Sequence, residues 1–243
     1  MIVILTGAGI SQESGISTFR DSGGLWDQMR VEDVATPRAF RNNPDLVYSF
    51  YNTRRRQLSS VQPNAAHTAL AELERESAEP VLVVTQNVDD LHERAGSRNL
   101  LHMHGELLKA RCLNCGKVVE WPGDLTATDA CPDCGPKPGA AKGSIGRMRP
   151  HIVWFEEMPL YMGEIEDALR QCSTFVSIGT SGNVYPAAGF AAQARSAGAR
   201  VIEINMEPSL NAHYFHDGRY GPATKMVPAW VQEICRSGTE KAK

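Results

Sequence analysis

Ile2-Val3-Ile4-Leu5-Thr6-Gly7-Ala8-Gly9-Ile10-Ser11, followed by Ser14-Gly15-Ile16-Ser17-Thr18-Phe19-Arg20, is the stretch on which the fold turns. Four consecutive apolar residues, three of them β-branched, suit a short strand buried on both faces of a parallel sheet. Glycines at the strand's carboxyl end let the backbone come close to a pyrophosphate lying at a helix N-terminus. A dinucleotide is therefore the first ligand to consider. The spacing departs from the usual three-glycine fingerprint, because Gln12 stands where a third glycine is expected and the next glycine is Gly15. Alone, Gly7-Ala8-Gly9 could be no more than a tight strand-to-helix turn.

The rest of the chain extends the pattern. Val81 to Thr85, Thr174 to Gly179 and Arg200 to Asn205 are further apolar strand candidates that alternate with helical segments, as in a doubly wound parallel sheet. Thr36-Pro37, Asn43-Pro44 and Asn64 supply helix N-caps, two with proline at the first helical position, and Gly96 and Gly198 fit C-terminal stops. Two segments interrupt the alternation, a helical one at about 28–60 and a Cys, Gly and Pro-rich one at about 109–149 with little core-forming pattern. Together they read as a small domain inserted into the larger one. The expected fold is α/β: a Rossmann-like doubly wound parallel sheet from residues 1–27, 61–108 and 150–243, with an inserted small zinc-ribbon/helical domain from 28–60 and 109–149. Gly135 to Gly146 has the composition of a flexible return linker, and the tail from Ser237 is expected to fray.

Bulk properties exclude some partners. The 25 Lys and Arg against 28 Asp and Glu give a formal charge of -3, so neither nucleic acid nor an anionic membrane is expected to be captured by net charge. No apolar run approaches the roughly 20 residues needed to cross a bilayer, and the N-terminus lacks a secretory pattern. A cytoplasmic protein is expected. Of six cysteines, Cys112, Cys115, Cys131 and Cys134 form two Cys-x-x-Cys hooks fifteen residues apart, which together complete a tetrahedral zinc shell. Four thiolates leave no position for water, so the metal is expected to be structural. A ribbon that docks on nucleic acid would need a basic, aromatic surface that this segment lacks. Cys172 and Cys235 stand apart as plain thiols.

Polar residues gather at the carboxyl ends of the strands, where open α/β sheets bind ligands. Gln86-Asn87-Val88-Asp89 follows the second strand; Asn87 and Asp89 can bond a carboxamide or merely cap a helix. Gly179-Thr180-Ser181 and Asn205-Met206-Glu207 follow the next two and suit ribose hydroxyls. Leu100-Leu101-His102-Met103-His104-Gly105 carries two histidines at strand spacing, each readable as a base or as a satisfied core histidine.

Taken jointly, the Gly7 to Arg20 stretch, Gln86 to Asp89, His104-Gly105, the cysteine quartet, Arg149-Pro150-His151-Ile152-Val153-Trp154-Phe155, Gly179-Thr180-Ser181 and Asn205-x-Glu207 strongly resemble a sirtuin, in the family's order and over nearly the whole chain. The resemblance is to bacterial class III sirtuins that remove acidic acyl groups as well as acetyl. It implies an NAD-dependent protein-lysine deacylase that consumes NAD, giving nicotinamide, O-acyl-ADP-ribose and free lysine by way of an alkylimidate. It implies that His104 is the general base on a ribose hydroxyl and that the four cysteines hold zinc. Cofactor contacts implied are Gly7, Ala8, Gly9 and Ser11 with Arg20 at the phosphates, and Phe19, Trp26, Gln86 and Val88 nearby. Asn87 and Asp89 fall at the nicotinamide, and Gly179, Thr180, Ser181, Asn205, Met206 and Glu207 at the adenosine side, with Ala223 near adenine. Val153, Trp154 and Phe155 would line the acyl-lysine tunnel and pair with the substrate peptide as an added strand. Glu156 departs from the family's usual glycine, which bears on peptide preference.

Tyr51 and Arg54, at i and i+3 on the helix opened by Asn43-Pro44, share one face. A phenol and a guanidinium fork in one pocket suit a terminal carboxylate such as succinyl or malonyl. Otherwise Arg54-Arg55-Arg56 is a solvated basic run. Other readings of the same turn are a nicotinamide-dependent redox enzyme, a non-catalytic sensor of NAD or ADP-ribose, and a protein mono-ADP-ribosyltransferase.

Overall fold

A computed structural model describes residues 1–17, 30–135 and 148–241, as backbone alone from 237 onward. In chain order the strands are β1 (Ile2–Thr6), β2 (Val81–Thr85), β3 (Leu100–His102), β4 (Gly105–Cys112), β5 (Val118–Glu120), β6 (Met148–Ile152), β7 (Thr174–Ile178), β8 (Arg200–Asn205) and β9 (Asp217–Tyr220). The helices are α1 (Gly9–Gln12), α2 (Val31–Val34), α3 (Pro37–Asn42), α4 (Pro44–Leu58), α5 (Ala65–Glu76), α6 (Leu91–Ala95), α7 (Met162–Gln171), α8 (Phe190–Ser196) and α9 (Ala223–Lys241).

Six strands form a parallel sheet in the order β3-β2-β1-β7-β8-β9. With β4 to β6 set aside this is the doubly wound order, in which the chain reverses direction across the sheet between β1 and β7 and opens a crevice at the strands' carboxyl ends. All residues of β1 and β2 are buried. Strand alternation sends Ile2 and Ile4 of β1 to one core with Leu70, Leu73 and Trp230, and Val3 and Leu5 to the opposite core with Leu169, Phe175 and Phe190. The edge strand β9, Asp-Gly-Arg-Tyr, was invisible in the sequence because it has no apolar signal.

Helix starts follow their caps. Thr36 accepts from the Ala39 amide at 3.0 Å, Asn43 from Leu46 at 3.2 Å, and Asn64 from Ala66 at 2.9 Å, with Pro37 and Pro44 at the first helical positions. Gly96 closes α6 in the left-handed region, at φ 107°.

The chain leaves the large sheet at β3 and enters an antiparallel sheet β5-β4-β6. Contrary to the weak core pattern read from 109–149, this segment shares an apolar core with α2 to α4: Leu125, Cys112, Cys131 and Met148 pack with Phe40, Val47 and Tyr48. The pattern is weak in sequence because the contributions are scattered singly between turns. In the tail expected to fray from Ser237, the backbone of α9 is helical to Lys241. The Gly135 to Gly146 linker falls, beyond Gly135, outside the described residues. Among the described residues no helix is long and apolar enough to cross a membrane.

Candidate active site

A cleft of about 790 Å³ runs along the carboxyl ends of β1, β2, β7 and β8 and across to α4 and the turn after β6, within the range of small-molecule and cofactor sites. Gly7, Ala8 and Gly9 line it, together with Gly179, Thr180 and Ser181. The glycines do more than admit a ligand. A Cβ on Gly7 would stand 2.8 Å from the Gly179 oxygen and one on Gly9 2.8 Å from the Gly179 Cα, so the turns after β1 and β7 pack backbone against backbone. The amides of Gly7 and Gly9 donate to the carbonyls of Ile178 and Gly179. Gly179, at φ 61°, thus takes the close-packing role of the missing third glycine, from another strand.

Gln86, Asn87 and Val88 line the cleft; Ser11 and Asp89 lie one layer behind it. Ser11 Oγ donates to Asp89 at 3.0 Å and accepts from the Asn87 amide at 3.1 Å. His67 Nδ1 accepts from the Asn64 amide at 3.2 Å, so its Nε2 carries the proton and meets Ser11 Oγ at 3.3 Å. The other Asp89 oxygen accepts from the Leu91 amide at 3.1 Å. Asp89 is thus both a helix cap and the anchor of Asn87. Burial pushes its carboxyl up, opposed by the bonds from Leu91 and Ser11.

His104 ends the β3–β4 connection and lines the cleft. Its Nδ1 lies 3.1 Å from the Gln86 carbonyl and must carry the proton, which leaves Nε2 as an acceptor. Burial lowers its pKa, opposed by that bond, so the ring is a neutral base near neutral pH. Gly105, at φ 84°, follows, and a Cβ there would overlap the His151 carbonyl oxygen. His102 points the other way and is buried against Glu93. The two histidines therefore face different ways, His104 toward the cleft and His102 toward Glu93.

On the far wall, Tyr51 and Arg54 both reach the cleft. Tyr51 Oη accepts from Trp154 Nε1 at 3.0 Å, leaving its own O–H to donate, and burial raises its pKa so that the phenol stays neutral. The Arg54 guanidinium lies 3.3 Å over the Phe50 ring, gives Nη1 to the Phe50 carbonyl at 2.9 Å, and keeps Nε buried without a partner among the described residues. Burial lowers its pKa to about 10, so it remains a cation. The three arginines are no solvated run. Arg55 is buried and gives Nε to the Leu107 carbonyl at 2.9 Å, and only Arg56 sits outside, paired with Asp124. Val153, Trp154, Phe155 and Glu156 line the same wall. Arg149 braces it, stacked 3.4 Å over the Trp154 ring with a bidentate bond to Glu157 at 2.6 and 2.9 Å.

At the other end, Asn205, Met206, Glu207 and Ala223 line the cleft, and Asn205 donates to the Thr180 carbonyl at 2.9 Å. Sequence reasoning did not single out Glu13, Tyr185 or Leu210, which also line it. A lone glutamate in a turn carries no signal, yet Glu13 caps α9 by accepting from the Thr224 amide at 3.0 Å. Phe19, Arg20 and Trp26 lie outside the described residues.

The Sγ atoms of Cys112, Cys115, Cys131 and Cys134 lie within 4.8 Å of one another, with Cys115 and Cys131 3.8 Å apart. A Zn–S bond of about 2.3 Å in a tetrahedron sets sulfurs roughly 3.8 Å apart. The set fits a closed structural zinc. Lys117 and Asp133, 2.7 Å apart, tie the two hooks together.

A doubly wound sheet whose glycine-lined crevice faces a zinc-bearing lobe defines a nucleotide-binding α/β protein. The Sir2 family model matches residues 7–186. An NAD-dependent protein deacylase of Leishmania major is 57% identical over 245 residues, 99% of this chain and 98% of the relative. One of Pasteurella multocida is 56% identical over 235 residues, 96% and 97% of the two chains. A solved Sir2 homologue–NAD complex superposes with a TM-score of 0.86 at 35% identity, covering 97% of this chain and 90% of that one. The chain belongs to the Sir2 family.

Proposed function

We propose that the chain is an NAD-dependent protein-lysine deacylase that removes acidic acyl groups, succinyl and malonyl, as well as acetyl, releasing nicotinamide, O-acyl-ADP-ribose and free lysine. The observation that carries the acyl reading is the placing of Tyr51 and Arg54 in the cleft that also holds His104. A half-buried cation whose Nε has no partner among the described residues, beside a phenol with its O–H left to donate, is short of one acceptor. A terminal carboxylate supplies it.

NAD, consumed as a co-substrate, supplies the leaving group and the ribose that accepts the acyl group. His104, neutral and with Nε2 open, takes the proton of a ribose hydroxyl. Asn87, held by Ser11 and Asp89 from behind, fixes the nicotinamide end, while the Gly179 to Ser181 turn and Asn205 hold the adenosine end. Val153 to Phe155 present the acyl-lysine from the facing lobe. Holding both reactants in one cleft removes much of the entropic barrier. The large sheet with its helices is the NAD-binding domain in this reading, and residues 28–60 with 109–149 are the small domain.

Acetyl-, succinyl- and malonyl-lysine peptides incubated with NAD and followed by mass spectrometry test it. All three are expected to lose their acyl group with release of nicotinamide. Arg54→Met is expected to lower kcat/KM on succinyl peptide about 10- to 100-fold, the worth of a hydrogen bond to a charged group, and to change deacetylation by less than about threefold. His104→Tyr is expected to lower turnover of every peptide by about 100-fold or more. Equal losses on both acyl groups for Arg54→Met would refute the pocket. Nicotinamide released without acyl-peptide, with ADP-ribose added to protein, would mark a transferase instead.

A further inference from the structure

His102 and His104 grip consecutive carbonyls of the loop after β2. His102 Nδ1 lies 3.2 Å from the Asn87 oxygen and His104 Nδ1 3.1 Å from that of Gln86. Their second nitrogens differ. That of His104 is left for the cleft, whereas His102 Nε2 lies 2.7 Å from a carboxylate oxygen of Glu93 on α6. Carbonyl and carboxylate oxygens only accept, and a neutral imidazole has one N–H to give. A ring that faces such acceptors with both nitrogens satisfies both only as an imidazolium.

We propose that His102 is a positioning residue for the deacylation reaction: a buried imidazolium, clamped by Glu93, fixes the Asn87 carbonyl and with it the Gln86 to Val88 wall of the cleft. This role rests on the deacylase reading; the charged clamp does not. The groups around the ring favour its charge. Glu93 and His92 face it from α6, Asp89 from the loop after β2, and Glu106 from β4. Burial opposes the charge, but the bond and charge of Glu93, then Glu106 and the Asn87 carbonyl, outweigh it and raise the pKa. His92 adds no competing cation because burial holds it neutral, and Lys109 is engaged by Glu106 at 2.6 Å. With a raised pKa the clamp is complete below the ordinary imidazole range and is lost as pH rises through the raised value. It therefore shapes the alkaline limb of activity, while His104, with its lowered pKa, shapes the acid limb.

Long-range 1H–15N correlation spectra of the whole zinc-loaded chain at pH 7 read the clamp directly, with His102 assigned by loss of its signals in His102→Gln. Both nitrogens of His102 are expected to be protonated, and only one of His104. In steady-state kinetics His102→Gln is expected to lower kcat/KM for NAD about tenfold or more, mainly through KM, with zinc content unchanged. Glu93→Gln, which keeps an acceptor but no charge, is expected to move the alkaline limb down by about one pH unit. Should His102→Gln fail to fold, Glu93→Gln supplies both the assignment and the kinetic comparison. A neutral His102 at pH 7, or pH profiles of the variants that superpose on that of the unsubstituted chain, would overturn the proposal. A charged His102 in a protein that deacylates nothing would overturn the reaction and leave the clamp.

Discussion

Glu156 stands in the left-handed region at φ 75°, exposed on the wall of the cleft. That conformation costs a residue with a Cβ about 1 kcal/mol, and glycine nothing. Glu156→Gly is therefore expected to stabilise the fold by about 0.5 kcal/mol once the looser unfolded chain is counted, a rise of roughly 1–2 °C in melting temperature. The same change removes a negative charge from the wall of the cleft proposed to hold the peptide. Turnover of peptides with Lys or Arg beside the acyl-lysine is expected to fall two- to fivefold relative to those with Asp or Glu (about 0.4–1 kcal/mol, the scale of an exposed ion pair). Unchanged relative turnover would show that the carboxylate does not meet the peptide. Its departure from glycine was legible in the sequence, but its backbone strain was not. Arg54, Arg55 and Arg56 teach the same lesson, because three identical neighbours go to cleft, core and solvent, and only helical phase separates them.

The element that joins the zinc hooks to Tyr51 and Arg54 is α4. Tyr48, Asn52 and Arg55 form one stripe on it: Tyr48 Oη donates to the Met148 carbonyl at 2.6 Å, Asn52 exchanges two 2.9 Å bonds with the backbone of Leu125, and Arg55 binds the Leu107 carbonyl. Tyr51 and Arg54 occupy the next stripe, toward the cleft. The zinc hooks support the first stripe, since Cys112 and Cys131 belong to the same core as Tyr48 and Phe50. Cys115→Ser is expected to abolish stoichiometric zinc and loosen α4, raising KM for succinyl peptide at least fivefold while NAD affinity changes little. A metal assay, succinyl-peptide kinetics and calorimetric titration with NAD check this, and an unaltered succinyl KM in zinc-free protein would separate the two functions. The caps of α3, α4 and α5 and the strands β1, β2, β7 and β8 were legible because each rests on local chemistry. The docking of α4 on the zinc module was not, because Asn52 and Leu125 meet across 73 residues of chain.

Over the whole molecule, a site assembled from four strand ends was readable as a set of turns on a doubly wound sheet, whereas the strand order that brings them together was not, because it rests on pairings between segments distant in sequence. What no motif disclosed is the buried histidine system behind the cleft. His67 and His92 are fully buried with rings 5.0 Å apart, and His151 is nearly so. Burial lowers His67 and His151 to about 4 and His92 well below its usual value, with Arg111 adding to the effect on His151 and the other histidines to that on His92. All three are neutral in the fold and would charge near pH 6.5 in the unfolded chain. Through these three the unfolded state binds more protons between those limits, so their contribution to stability is full above pH 6.5 and falls as pH drops toward 4, by up to about 1.4 kcal/mol per pH unit for each; His102, with its raised pKa, acts oppositely, its contribution full below pH 6.5 and lost at higher pH. Glu93, held low by its bond to His102, and the half-buried Glu157, held low by Arg149, act in the same direction as His67, His92 and His151 in acid. Urea unfolding at pH 7, 6 and 5 is expected to show a falling midpoint. His67→Gln, which keeps a polar side chain without the titration, is expected to flatten that slope by up to about 1.4 kcal/mol per unit even where it lowers stability at pH 7. A slope identical to that of the unsubstituted chain would mean that His67 is already charged in the folded protein, and the tautomer assigned to it through Asn64 and Ser11 would be wrong.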